Sequence, residues 1–200
     1  STKAVVSNID KTTPTAKVVY STTQLTNKDV VVTLTDASED ITITNNNGSN
    51  IYVFTENGEF TFEFVDKAGN SNGITAIVNN IDKVAPTAKV VYSTTEPTNK
   101  DVVATLTDIS EDIIVKNNNG KTTYTFTKNG TFDFEIQDKA GNTNKITAIV
   151  TNIDRVIPTA KVLYSTTRPT NDDVVVTLVD ASEDIIITNN DGKNIYTFTE

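Results

Sequence analysis

Apolar and polar residues alternate along this chain with a period of two. In T-A-K-V-V-Y (15–20), Ala16, Val18 and Tyr20 share one face. In V-V-V-T-L-T (30–35), Val30, Val32 and Leu34 do so. Tyr52 and Phe54 alternate in 51–55, Phe60, Phe62 and Phe64 in 60–64, and Ile74, Ala76 and Val78 in 74–78. A further short strand, I-T-I-T, is expected at 41–44. Period two with one wet face predicts antiparallel sheets packed on a core. Asn47-Gly48, Asn57-Gly58, Asn119-Gly120, Asn129-Gly130 and Asp191-Gly192 predict hairpin turns with positive φ. The fold class is therefore all-β.

The pattern is copied along the chain. S-N-I-D-K-T-T-P (7–14), N-N-I-D-K-V-A-P (79–86) and T-N-I-D-R-V-I-P (151–158) are one phrase used three times. Pro14, Pro86 and Pro158 are evenly spaced, since 86 − 14 and 158 − 86 are both 72. Tyr20, Tyr92 and Tyr164 keep that step, as do Asp36, Asp108 and Asp180. A gapless repeat of this length marks a tandem array, and the phrase marks its joints. Pro donates no ladder hydrogen bond, which suits a strand start after a linker.

The repeats run over 11–82 and 83–154. Residues 155–200 form an incomplete copy lacking its last two strands. Residues 1–10 read as the final strand of a preceding repeat plus its linker, because 2–9 match 74–81. A fragment of a longer array explains both ends. Donor-strand polymerisation, with 2–9 completing another chain's third repeat, would restore its last strand only and leave the counterpart of 59–65 missing. Six or so short strands in 72 residues predict small immunoglobulin-like sandwiches. So small a unit buries a modest core, and neighbouring repeats in cis are its expected partners.

Composition narrows the class. The chain has no Cys, His, Met or Trp and a net charge of −9. That charge disfavours nucleic acid and anionic membranes, which need clustered Lys and Arg. The apolar runs are too short to span a bilayer, so no membrane insertion is expected. Without Cys there are no disulfides or thiolate metal sites, and without His or Cys the familiar nucleophilic triads are missing. The acids recur with the repeats in turns and on outer faces, which reads as surface charge rather than a glycosidase pair. The chain is expected not to be an enzyme. Every Tyr and Phe falls on an inward position, leaving no ring for a sugar to stack on. Sequons at Asn47-Gly48-Ser49 and Asn129-Gly130-Thr131 do not recur between repeats. Lys17, Lys89 and Lys161 alternate outward, against a buried Lys–Asn isopeptide.

The runs D-K-x-x-P-T-A-K-V-V-Y-S-T-T, D-V-V-V-T-L-T, Y-x-F-T-x-N-G-x-F-x-F-E and D-K-A-G-N resemble the bacterial Ig-like repeats of large surface proteins. The resemblance covers essentially the whole chain, and D-K-A-G-N is its most specific part. It implies a non-catalytic spacer, stalk, filament or S-layer module, extracellular on a bacterial surface. An adhesin or carbohydrate- or protein-binding module, or an accessory region of a secreted glycosidase, is the alternative. Near-identity of the repeats speaks against a dedicated binding site. Outer faces rich in Thr and Val, such as Val19 and Val31, leave self-association into a fibre or lattice open.

The candidate chemistry is acidic. Each repeat carries D-x-S-E-D: Asp36, Glu39 and Asp40; Asp108, Glu111 and Asp112; Asp180, Glu183 and Asp184. The D-K-A-G-N turns add Asp66 and Asp138, and the linkers add Asp10, Asp82 and Asp154. In an Ig-like topology these three segments meet at one pole. Asp82, Asp108, Glu111, Asp112 and Asp138 are thus expected to converge where the first repeat joins the second. Such a set suits calcium, which takes six to eight oxygens, and would stiffen the joint, a layout similar to cadherin-like and adhesin linkers. Asp capping its own turn, or Lys83 and Arg155 supplying the counter-charge, are the competing readings.

Overall fold

The computed structural model describes residues 2–199. The first repeat contains β1 (Lys17–Tyr20), β2 (Val30–Thr35), β3 (Ile41–Ile43), β4 (Ile51–Phe54), β5 (Gly58–Asp66) and β6 (Ser71–Val78). The second contains β7 (Lys89–Tyr92), β8 (Val102–Thr107), β9 (Ile114–Val115), β10 (Thr123–Phe126), β11 (Gly130–Gln137) and β12 (Thr143–Val150). The third contributes β13 (Lys161–Tyr164), β14 (Val174–Val179) and β15 (Ile195–Phe198). All the strand pairs are antiparallel.

In the first repeat one sheet runs β1-β2-β4 and the other β3-β5-β6, and the second repeat copies both orders. The register places Val18 opposite Leu34, and Val30 and Val32 opposite Phe54 and Tyr52. The apolar stripe of each strand thus lines one face. Val30, Val32, Leu34, Phe54, Phe62, Phe64, Ala76 and Val78 form the first core, and Val102, Ala104, Phe134, Ile136, Ala148 and Val150 line the second. Tyr52 stacks on Phe60 with centroids 3.8 Å apart, joining the two sheets through β4 and β5. Along the other side the Ile77 N–H donates to the Tyr20 hydroxyl at 3.1 Å, tying β6 to β1.

Pro14 and Pro86 are fully buried. Their carbonyls accept from the Asn72 and Asn144 amides at 2.7 and 2.9 Å, so each Pro is locked to the last strand of its own repeat.

The turns depart from the expected hairpins. Asn47-Gly48 lies between β3 and β4, which belong to different sheets, so it is a crossover. Asn46, Asn47 and Gly48 are left-handed in succession (φ 49, 53 and 77), and the Asn46 amide holds the loop by donating to the carbonyls of Ser49 and Ile51. Asn57-Gly58 does connect paired strands, but neither residue has positive φ. Asn57 is used for its amide, which accepts from the Ile81 N–H and donates to the Ile81 carbonyl, both at 2.8 Å.

The third repeat is also different. Its sheet runs β13-β14-β15, and no strand among the described residues covers its inner face. Tyr164, Tyr196 and Phe198, expected inward, are about half exposed at 51, 52 and 57 %. Ile186 is 91 % exposed, because the counterpart of β3 has no β5 to pair with.

Residues 1–95 with 101–151 form one compact unit, and 96–100 with 152–200 a second. Repeats one and two therefore share a unit. Thr98 belongs to the other because its N–H donates to the Asn152 carbonyl and its carbonyl accepts from Asp154 N–H.

Candidate functional site

The joint between the first two repeats is pinned on both sides. Thr26 forms a parallel bridge with Ile81. Its N–H donates to the Asn80 carbonyl, and its carbonyl accepts from the Asp82 N–H, both at 2.9 Å. Asn57 holds Ile81 from the β4–β5 turn. Beyond the linker, the Asn142 amide donates to the Asp82 carbonyl at 2.9 Å. The repeats also touch directly. The Asn27 N–H donates to the Ala140 carbonyl at 3.1 Å, and Lys83 reaches back to Asp29 at 2.7 Å. Ala140 is buried, whereas its copy Ala68, which has no repeat docked on it here, is exposed.

The acidic loop stands beside this joint. Asp36 begins it in the left-handed region at φ 51, and Asp108 and Asp180 repeat this at 48 and 50. Asp is one of the few residues that enter that region readily, which the sequence reading did not foresee. Ser38 then bonds Thr15 twice, backbone to backbone and hydroxyl to N–H. The effect is to turn Glu39 toward the linker.

Two carboxylates of each loop go elsewhere. Asp36, Asp108 and Asp180 pair with Lys17, Lys89 and Lys161 on the neighbouring strand. Asp40 and Asp112 pair with Lys67 and Lys139 at 2.6 and 2.7 Å. The hydrogen bond and charge of Lys67 and Lys139 hold the Asp40 and Asp112 carboxyls below their ordinary value. These pairs are exposed, so they add little stability.

The remaining three converge. Asp10, Glu39 and Asp66 each bring an oxygen within 4.8 Å of the others, and Asp82, Glu111 and Asp138 repeat the cluster. Of the five acids expected at the joint, Asp82, Glu111 and Asp138 come together, while Asp108 and Asp112 are drawn outward by lysines. In the third repeat the loop acids are Asp180, Glu183 and Asp184 and the linker acid is Asp154. The chain has no third carboxylate at the position of Asp138.

The cluster members differ in electrostatics. Asp138 is buried and accepts from the N–H groups of Gly141 and Asn142 at 2.7 and 2.8 Å and from the Asn142 amide at 2.7 Å. Burial opposes its charge, but these donors outweigh it and keep the carboxyl below its ordinary value. The Asn70 amide leads the same effect on Asp66, against burial, with backbone donors adding to it. Glu111 moves the other way. Desolvation, then the charges of Asp138, Asp82 and Asp112, raise it, and Glu39 is raised by desolvation, Asp66, Asp10 and Asp40.

The donor set is all oxygen, which fits a hard cation such as calcium. Both oxygens of Asp138 are already hydrogen-bonded, so three carboxylates supply only part of a calcium shell and water would supply the rest. Elsewhere an open groove of about 540 Å³ lies between the end of β2 and β3, lined by Leu34, Ala37, Ile41 and Ile43 with Asp36 as its one ionisable side chain. That lining offers no nucleophile and base together.

Residues 1–83 and 73–155 each match the family model of the bacterial Ig-like domain. The chain belongs to that family. The two matches overlap at 73–83, which is β6 with the joint that follows it. No curated protein matches the chain. Bacterial Ig-like domains are common in extracellular and surface proteins, and membership points to a structural repeat module. No described helix is long and apolar enough to cross a membrane.

Proposed function

We propose that this chain is a non-catalytic spacer in an extracellular bacterial surface protein, with each Ig-like repeat setting the position of the next. The observation that carries this reading is the joint of the first two repeats. Its linker is hydrogen-bonded to Thr26 and Asn57 behind and Asn142 ahead, and Asn27 meets Ala140 directly. A flexible string would need none of these contacts. Residual dipolar couplings on the whole chain test it. Amides of β1–β6 and β7–β12 should fit one alignment tensor. Two independent tensors would reject the spacer with fixed joints in favour of loosely tethered beads.

A second element of the proposal is calcium at Asp82, Glu111 and Asp138, and at Asp10, Glu39 and Asp66. It is favoured by three carboxylates lying within 4.8 Å while the nearby lysines, Lys67 and Lys139, are engaged by Asp40 and Asp112. Calorimetric titration should show about two calcium ions per chain, lost in the double variant Glu39→Gln, Glu111→Gln. No binding heat at millimolar calcium would remove the ion and leave Asp66 and Asp138 as turn caps alone.

A further inference from the structure

The joint of repeats one and two has two complementary halves, and each recurs uncovered elsewhere in the chain. The leading half is the loop Thr26–Asp29, with Asn27 on Ala140 and Asp29 on Lys83. Its third copy is Thr170, Asn171 and Asp173, all exposed. Thr26 and Thr98, which carry a linker, are partly buried, and Thr170 is not. The trailing half is the linker Lys with the Ala-Gly of D-K-A-G-N. Its first copy is Lys11, Ala68 and Gly69, also exposed. A Cβ built at Gly141 meets the Asn27 amide at 3.6 Å, whereas one at Gly69 meets nothing within 4 Å.

We propose that the surface at Lys11 and Ala68–Gly69 docks the Thr170–Asp173 loop of a second copy, reproducing between chains the contact made within one. Two observations select this occupant. The interface is the one already formed in cis, carried by the same residue types at the same spacing. The charges are also complementary and sharper than in cis, because Asp172 replaces Lys28 and gives Lys11 two carboxylates in place of one. The contact joins different surfaces, so it is heterologous and propagates head to tail. Its small extent makes it weak, and this inference rests on the reading of the joint given above.

Zero-length carbodiimide coupling tests it, because only a Lys and a carboxylate in contact are joined. Equal amounts of ¹⁵N-labelled and unlabelled chain are mixed at high concentration, coupled, digested and read by mass spectrometry. The Lys83–Asp29 pair, 2.7 Å apart, is the internal reference and should couple within one chain. The proposal expects Lys11 joined to Asp173 or Asp172 in mixed-isotope pairs, rising with concentration and falling to background in Ala68→Trp. If Lys83–Asp29 couples and the mixed pair does not form, the docking is wrong while the joint stands. A mixed pair unaffected by Ala68→Trp also overturns it. If Lys83–Asp29 fails to couple, the joint and the docking fall together.

Discussion

At the scale of single residues, what matters is which acid is stabilised as an anion and which is not. Asp138 and Asp66 have folded values below their ordinary ones, so they contribute stability that is full above the ordinary aspartate range and lost as pH falls through the folded value. Asp138→Asn should therefore lower the melting temperature at pH 7, and the gap to wild type should close in acid. Glu111 has the opposite sign. Its raised value means its charge costs stability at neutral pH, and the cost fades as pH falls through that value. Glu111→Gln in the presence of chelator should raise the melting temperature at pH 7 and have no effect below the ordinary glutamate range. Thermal melts at several pH values check both. Gly69 and Gly141 sit at φ 95 and 99, where an L side chain is strained. Alanine at either should cost about 1–3 kcal/mol in urea unfolding. The two costs should be similar, because a Cβ at Gly141 makes only an ordinary contact with Asn27.

Among the strands, the alternating pattern located all six elements of a repeat, since a strand with one wet face must place its apolar residues two apart. The turns were less legible. Asn57-Gly58 has the composition of a positive-φ hairpin, yet Asn57 serves as a clamp on Ile81, a contact made 24 residues away. The β3–β4 loop crosses between sheets because β3 pairs with β5 and β4 with β2, a pairing set by the whole sandwich. The strands also rank the core. Phe134 lies fully buried on β11 between both sheets, and Phe134→Ala should cost about 3–5 kcal/mol. Tyr92→Phe removes the hydroxyl that accepts from the Ile149 N–H at 2.8 Å and should cost about 1 kcal/mol. Chemical unfolding of the two variants separates packing from hydrogen bonding.

For the molecule as a whole, the contrast lies between two-sheet and one-sheet repeats. β1–β12 enclose cores between paired sheets, while β13–β15 leave Tyr164, Tyr196 and Phe198 half exposed. Opening the one-sheet repeat exposes little new apolar surface, so its amides should exchange at lower protection. Hydrogen exchange with mass readout should show peptides from 161–198 exchanging well before those from 58–66 and 130–137. Equal protection would mean that the third sheet's inner face is covered in solution.

The sequence by itself determined the all-β class, the tandem repeat and the type of carboxylate at each joint, because periodicity and residue identity are local properties of the chain. It also placed Asp82, Glu111 and Asp138 in three segments that an Ig-like topology brings to one pole. Tertiary structure decided which acids actually meet. Asp108 and Asp112 lie in the same loop as Glu111, yet lysines on β7 and in the D-K-A-G-N turn take them outward, and the left-handed turn at Asp108 with the Ser110–Thr87 bonds aims Glu111 inward. Those choices rest on contacts between residues 19 to 27 positions apart. No local pattern records them, because only the folded sandwich sets the distances on which electrostatics and hydrogen bonds depend.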